Sequence, residues 1–338
     1  MKILIISTLF EPSIGGMETV AKILAEEFAA AGHKVRLITE VHAVENNNYP
    51  FEIHRNISLL ELLKHLIWCD VFLQNSLSLR FALPRFLVPK PWYVIHHTWY
   101  QRPNGEISFR DKVKLYLCKF ANNISVSSAI AKSIPGSSIV IPNPYQSKTF
   151  RSGPSVLRTK DILCVGRLVS DKGVDLVIRA LDLLKKRNLA PILSIVGDGP
   201  ELEKLKNLVC ELQLDSQVSF CGSQSGNALS DLYRSHKICV IPSRWQEPFG
   251  IVALEAIACG CTVIASRVGG LPEAIGSCGL TFPRDDLAAL AKLIEDTLIH
   301  PERSIELLND SSTHLEKHLP IYVAQEYLKV LRADSYET

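Results

Sequence analysis

Hydrophobic positions along this chain come in short runs separated by polar loops and longer amphipathic stretches. Lys2 to Ser7 is apolar after its lysine, as expected of a parallel strand covered on both faces. It feeds the loop Glu11-Pro12-Ser13-Ile14-Gly15-Gly16, a predicted helix over Met17–Ala31 stopped by Gly32, and a strand at Val35–Thr39. This is strand–helix–strand grammar. His42 to Pro50, with three successive asparagines, reads as loop. A helix around Ser58–Leu66, a strand at Val71–Gln74, an apolar stretch at Leu77–Leu87 holding Arg80 and Arg85, and a strand at Trp92–Ile95 follow. Gln101–Ser108 reads as a mobile loop and Arg110–Asn122 as an amphipathic helix. Ile124–Val126 and Ser138–Ile141 close the first half, and the Pro-, Ser- and Gly-rich stretch from Pro142 to Ser155 reads as a linker.

The second half restarts the same pattern. Strands are predicted at Ile162–Val165, Ile192–Val196, Val218–Cys221, Ile238–Pro242 and Thr262–Ala265. Helices are predicted from Val174 to about Arg187, from Pro200 to about Leu212 and over Asn227–Ser235. The last periodic segment, Leu319–Leu331, is long enough to cross back over the first half. The expected fold class is α/β, two Rossmann-like parallel-sheet domains facing across a cleft. Residues 1–148 form the first domain, 156–315 the second, and 316–338 a helix packing back on the first.

Composition narrows the reading. A chain of 338 residues with 47% hydrophobic content suits two cores, and a net charge of +2 gives no general case for a nucleic-acid partner. Nine cysteines lie scattered with no C-x-x-C, which points to reduced thiols, a cytoplasmic setting and no structural zinc. Met1–Phe10 starts like a signal peptide, but Glu11-Pro12 ends the apolar run and no small-residue cleavage site follows. No apolar run reaches the roughly 20 residues of a membrane span. The chain is therefore expected to be soluble. The helix carrying Arg110, Lys112, Lys114 and Lys119 reads either as a solvated face or as a contact with the inner face of an anionic membrane. Oligomeric state is not legible.

The chemistry concentrates at strand ends. In Pro242–Gly260, PSRWQEPFGIVALEAIACG, Pro248 suits a first helical position and Glu255 is the one charged residue on an otherwise apolar helix. Backbone N–H groups of Phe249, Gly250 and Ile251 would face outward at that helix start, suiting anions and hydroxyls. Arg167 and Lys172 share the loop after Ile162–Val165, a fork and a point charge suited to phosphate. Gly15-Gly16 would bring bare backbone against a ligand. His96 and His97 stand where ligands gather in open α/β sheets. Cations and helix N-termini suit a pyrophosphate, and carboxylates suit ribose or sugar hydroxyls. The inventory is that of a nucleotide-sugar. There is no D-x-D triplet, so no metal held by paired aspartates is expected, and no G-x-G-x-x-G.

Glu247-x7-Glu255 within EPFGIVALEAIACG resembles the E-x7-E motif of retaining GT-B glycosyltransferases, notably glycosyltransferase family 4. The Gly15-Gly16 loop, G-R-L-x-x-x-K-G from Gly166 to Gly173, V-G-D-G-P at 196–200 and V-G-G-L-P-E at 268–273 extend the resemblance over nearly the whole chain. HHTWYQRPNG is similar to H-Q-T-W segments of some members, which points to His96 as the acceptor-side histidine. The resemblance implies a hexose-type sugar moved from a UDP- or GDP-sugar to a hydroxyl acceptor on a glycan, glycolipid or small molecule, with no cofactor and no metal. Arg167 and Lys172 would neutralise the leaving diphosphate, with Gly166 in the same loop. Glu255 would hold ribose, and Glu247 the donor sugar. Phe249, Gly250 and Ile251 would orient that sugar through their backbone N–H groups. The family retains anomeric configuration through an oxocarbenium-like transition state, without either glutamate as nucleophile. A nucleotide-sugar epimerase of the same architecture, a binding protein that has lost transfer, and an NAD-dependent oxidoreductase are the alternatives.

Overall fold

The structure, a computed structural model, describes residues 1–13, 15–42, 48–102, 105–153 and 158–333. Four sequence readings reach partly outside those residues: Ile14 of the Gly-Gly loop, Asn46 and Asn47 of the asparagine run, Pro103-Asn104 of the 101–108 loop, and Pro154-Ser155 at the linker's end. Residues 334–338 of the terminal segment also lie outside them. The chain divides into two units, Met1–Pro144 with His318–Thr338, and Tyr145–Lys317. Each is described by itself.

In the first unit β1 (Lys2–Ile6), α1 (Gly16–Ala30), β2 (Lys34–Thr39), β3 (Glu52–Arg55), α2 (Leu59–Trp68), β4 (Val71–Asn75), α3 (Leu79–Ala82), β5 (Trp92–His96), α4 (Phe109–Leu117), β6 (Asn122–Ser125), α5 (Ser128–Ala131) and β7 (Ser138–Val140) follow one another. The sheet has seven parallel strands in the order β3-β2-β1-β4-β5-β6-β7. Ile3 to Ile6 are buried, as a strand covered on both faces requires. Ser58 caps α2 reciprocally with Glu61, and Leu62 and Leu66 turn inward.

Two sequence expectations change here. β3 was not predicted, because an edge strand of Glu, Ile, His and Arg has no apolar run. It is held in register by Arg36 opposite Glu52, whose side chains pair at 2.8 Å. The helix expected over Arg110–Asn122 ends at Leu117. Cys118–Phe120 tightens into a 3-10 turn, and Asn122 already opens β6.

The second unit contains β8 (Lys160–Val165), α6 (Val174–Lys185), β9 (Leu193–Val196), α7 (Leu202–Glu211), β10 (Val218–Phe220), α8 (Gly226–Ser235), β11 (His236–Ile241), α9 (Ile251–Ala258), β12 (Thr262–Ser266), α10 (Leu271–Ile275), β13 (Gly279–Phe282), α11 (Leu287–Ile299), α12 (Pro301–Leu308) and α13 (Ser311–Glu316). Its six parallel strands run in the order β10-β9-β8-β11-β12-β13, the doubly wound arrangement with one reversal of strand order. Ile162, Leu181, Leu193, Val240, Ile264 and Phe282 form its core. Each fully buried aliphatic or aromatic side chain contributes roughly 1.5–3 kcal/mol. The sheet is thus fixed by its core, and the loops at its carboxyl edge are left to adopt strained conformations. The chain closes with α14 (Pro320–Ala333), part of the first unit, which packs on α1 and whose Val330 carbonyl accepts a hydrogen bond from Tyr93 Oη at 3.2 Å.

Candidate functional site

The order of the second sheet reverses at the β8–β11 pair, where Ile162 lies opposite Ile238 and Cys164 opposite Val240. Ligands of open α/β sheets bind outside the carboxyl ends of strands at such a reversal. Two loops leave from there, residues 166–173 after β8 and 242–250 after β11, and they are in direct contact. Gly173 has φ 68°, and a Cβ on it would stand 2.2 Å from the Pro242 carbonyl oxygen. The backbone N–H groups of Arg244 and Trp245 both reach the Asp171 carbonyl, at 2.8 and 3.2 Å.

That contact brings the charged residues together. Lys172 Nζ lies 2.6 Å from Glu247 Oε1, and Ser243 Oγ donates to the same oxygen at 2.5 Å. Their side chains are 28% and 13% exposed for Lys172 and Glu247, so the pair is partly open to solvent. Arg244 braces the two loops. It grips Asp175 at the start of α6 through both terminal nitrogens at 2.6 and 2.8 Å, Asp285 at 2.5 Å, and the Ser170 carbonyl at 3.2 Å. Arg167 is exposed, while its neighbour Leu168 is buried and bonds the Asp198 carbonyl at 2.8 Å. Gly166, at the loop's start, has open space where a side chain would be.

The helix after this loop starts later than the sequence pattern suggests. Pro248 is not its first residue. Gly250, at φ 115° and ψ 62°, is the N-cap of α9, and Ile251 is the first helical position. Ahead of the left-handed Gly250, residues 246 and 247 are pinned by the 268–270 segment. Gly270 N–H bonds the Glu247 carbonyl at 2.7 Å and Gly269 N–H bonds Gln246 Oε1 at 2.6 Å. A Cβ on Gly269, at φ 53°, would lie 2.0 Å from that carbonyl. Phe249 is buried. Glu255 stands one turn below Ile251 on α9, partly exposed. Burial pushes its carboxyl up to about 8, opposed by the Tyr233 hydroxyl at 3.4 Å.

In the first unit Gly15 is the N-cap of α1, in extended backbone, and Gly16 is its first residue. Glu18, buried in the first turn, holds its carboxylate 2.4 Å from where a Gly15 Cβ would be. The two histidines have different environments. His96, at the end of β5, uses both ring nitrogens: Nδ1 with Tyr100 Oη at 2.8 Å and Nε2 with Asn123 Oδ1 at 2.9 Å. Asn123 donates its own amide to the Cys118 and Ala121 carbonyls, so His96 Nε2 is the donor and Nδ1 the acceptor. Both ring nitrogens of His96, the histidine expected on the acceptor side, are thus engaged within the first unit. His97 bonds Asn75 Oδ1 through Nε2 at 2.7 Å, and Asn75 donates to Ser7 Oγ at 3.1 Å and to the Met17 carbonyl at 2.9 Å. That network gives His97 an Nε2–H and an acceptor Nδ1. It also ties His97 through Asn75 to the first turn of α1, beside the Gly15-Gly16 turn. Burial lowers His96 to about 4 and His97 to about 3, so both are neutral near pH 7.

Sequence reasoning missed Ser243, Tyr233, Arg244, Asp175 and Asn75. Ser243 sits in the PSRWQEPFG stretch and Asn75 directly at a strand's carboxyl end, which are positional signals. Asp175 lies in the first turn of α6, just after Gly173, and Tyr233, on sequence-distant α8, carries no such signal.

Residues 146–310 match the family model described as glycosyl transferases group 1. Among curated relatives, a GDP-mannose-dependent alpha-(1-6)-phosphatidylinositol monomannoside mannosyltransferase of Mycolicibacterium smegmatis is 32% identical over 196 residues, 55% of this chain and 51% of that protein. The phosphatidylinositol N-acetylglucosaminyltransferase gpi3 subunit of Schizosaccharomyces pombe is 28% identical over 338 aligned positions, 87% of this chain and 73% of that protein. The chain spans 29%, 51% and 36% of the length of three curated relatives that it matches. A crystal structure of Anabaena HepE in complex with UDP and glucose superposes with a TM-score of 0.82 at 20% identity, covering 98% of this chain and all of that one. The fold is GT-B.

Proposed function

From the match of residues 146–310 to the glycosyl transferases group 1 model, we propose that this chain is a retaining glycosyltransferase moving a hexose from a nucleoside-diphospho-sugar to a hydroxyl acceptor. The observation that carries the reading is the cluster at the β8–β11 reversal. There a part-buried Lys172 pairs with Glu247, three residues before the Gly250 cap of α9, and Arg167 is exposed in the same loop as Lys172.

In this reading the bond between the sugar's anomeric carbon and the phosphate oxygen breaks as the bond to the acceptor oxygen forms. The acceptor's proton passes to the leaving phosphate oxygen. Negative charge grows on the diphosphate in the transition state, and Arg167 and Lys172 stabilise it there more than in the ground state. The chain supplies its own cations, so the proposal includes no metal. Glu247, already fixed by Lys172 and Ser243, accepts from donor-sugar hydroxyls. The first-turn N–H groups at Gly250 and Ile251 orient that sugar. Glu255 takes the ribose hydroxyls. In the first unit, taken by itself, the Gly15-Gly16 turn is bare backbone suited to an anion, and His97 Nδ1 is an acceptor suited to a hydroxyl hydrogen. No protein nucleophile is assigned. The epimerase reading finds no support among the relatives quoted, which are named as transferases.

Thermal denaturation with UDP, GDP, ADP, CMP and NAD in parallel tests this. A ligand at 100 times its dissociation constant adds about 2.7 kcal/mol, which is several degrees at roughly 2–4 °C per kcal/mol for a domain of this size. A shift from one nucleoside diphosphate is expected and names the donor base. A shift from NAD alone, or from none, overturns the site. The anomeric configuration of the transferred sugar, read by NMR, decides retention against inversion.

A further inference from the structure

We propose that Glu18, in the first turn of α1, accepts hydrogen bonds from the hydroxyl groups of a polyol acceptor. The inference rests on the transferase reading and deepens it, by naming a group in the first unit that takes the acceptor and the chemistry it takes.

Glu18 is only 7% exposed, yet its carboxylate has no hydrogen bond and no ion pair among the described residues. A carboxylate only accepts, and one buried without donors costs stability until something supplies them. The donors close to it in the chain are committed elsewhere. Lys22 follows by four residues, the spacing at which a lysine ordinarily pairs with a glutamate on a helix. Its Nζ instead lies 2.9 Å from Glu11 and 5.6 Å from the centre of the Tyr49 ring. Asn75 reaches the same turn, but its amide donates to the Met17 carbonyl at 2.9 Å and to Ser7 Oγ at 3.1 Å. Thr19 Oγ1 donates to the Gly15 carbonyl at 2.9 Å. The start of a helix favours a negative charge, but that field supplies no hydrogen.

Gly15 makes room for the carboxylate. Its backbone is extended, at φ −177°, a conformation open to any residue, so the glycine is not explained by backbone freedom. A Cβ there would stand 3.0 Å from Glu18 Cδ, 3.2 Å from Oε1 and closer still to Oε2. A Ser, Thr, Asn or Asp cap, the usual choice at this position, would fill the space. The carboxylate lies instead against a turn whose Gly16 is exposed.

Few groups can satisfy it. A phosphate brings like charge. The described residues contain no group of three His, Cys, Asp or Glu side chains that could hold a metal ion. A hydroxyl donates a hydrogen without adding charge. His97 Nδ1, tied to this turn through Asn75 and the Met17 carbonyl, is a second acceptor with no donor among the described residues. A ligand with several hydroxyls supplies both. The bare backbone of the turn and the carboxylate thus select different parts of a ligand.

The test compares the full chain with Glu18→Gln in the presence of the nucleoside diphosphate that stabilises the wild type. Methyl α-D-mannopyranoside and myo-inositol are the hydroxyl probes, and glucosamine is the amine control. Saturation-transfer NMR should detect the hydroxyl probes on the wild type, with a Kd raised about tenfold or more in the variant, the scale of a hydrogen bond to a charged group. Gly15→Ala, which keeps the charge but takes its space, should weaken the same binding. Glu18→Gln should melt at or above the wild-type temperature, because it relieves a buried charge that has no donor. A wild type that no nucleoside diphosphate stabilises overturns the transferase reading and this inference with it. A stabilised wild type that binds neither hydroxyl probe, or binds them no better than Glu18→Gln does, overturns this inference alone. So would a lowered melting temperature in Glu18→Gln, which would make the carboxylate a part of the fold, or binding of glucosamine alone, which would make its partner an ammonium.

Discussion

Glu255 gives the sharpest test of the site, because its carboxyl is placed where it costs stability. It sits on α9 among apolar neighbours, where the Tyr233 hydroxyl lies 3.4 Å away and no cation among the described residues is paired to it. Burial raises it from an ordinary 4.5 to about 8. In the unfolded chain the carboxyl ionises near its ordinary value, while the native state holds the proton until about 8. The native state therefore binds more protons throughout that window, and stability falls as pH rises through it, flat below and flat above. At 1.36 kcal/mol per pKa unit the full loss above pH 8 has an upper bound of about 5 kcal/mol, reduced by the partial exposure of the residue. Glu255→Gln removes the titration. Thermal melts of both proteins from pH 5 to pH 9 should converge at the acid end and diverge toward alkaline pH, with the glutamine variant the more stable. The same variant should lose stabilisation by nucleoside diphosphate, since ribose hydroxyls donating to Glu255 favour its ionised, acceptor-only form and an amide cannot ionise. A stability difference independent of pH would refute the desolvation argument. A preserved nucleotide response would refute the ribose assignment.

Lys172→Ala should slow transfer roughly a hundredfold or more, the scale seen when one preorganised charge-stabilising group is removed, with nucleotide-free circular dichroism unchanged; a near wild-type rate would remove Lys172 from the site. Gly173→Ala places a left-handed alanine, costing roughly 1–2 kcal/mol, against a fixed backbone oxygen. Its melting temperature should fall well below that of Gly32→Ala, where φ is 83° and nothing lies within 4 Å of the new Cβ; equal losses would show that the contact between the 166–173 and 242–250 loops is not tight. His97→Ala also leaves Asn75 Oδ1 without its donor, at a cost of roughly 1–3 kcal/mol, but should cripple transfer at temperatures where the variant is fully folded. His96→Ala should act chiefly on stability, by roughly 1–3 kcal/mol for partners left unsatisfied, and the reverse pattern, read from rates and melts, would restore the sequence-based choice.

The sequence could say which strands are buried on both faces, because Lys2–Ile6 or Lys160–Val165 can be apolar for no other local reason. It could not reveal β3, whose polar residues are explained only by Arg36 on the neighbouring strand. It placed Lys172 and Glu247 among the functional groups because each stands in a glycine-marked loop after a strand, but not at 2.6 Å from each other. That distance depends on the adjacency of β8 and β11, two strands separated by the whole of β9 and β10. His96 and His97 show the limit most clearly. Adjacent and chemically identical in sequence, they are told apart by Asn123, Tyr100 and Asn75, which arrive from a following strand, a loop and a preceding strand.

Arg244 shows how the fold makes a rigid site out of loops. Loop residues move more readily than strand residues, and electrostatic stabilisation of a transition state works only if the charges do not have to reorganise. The 166–173 loop has one short turn at Ser170–Lys172, and the 242–250 loop has no regular structure before α9. Each would be a poor platform alone. Arg244 joins the second to the Ser170 carbonyl of the first, to Asp175 at the start of α6 and to Asp285 before α11. A planar fork serves this purpose where an ammonium would not, since it donates in several fixed directions at once. The Lys172–Glu247 pair then inherits its position from the core, through α6, although neither residue is itself in the core.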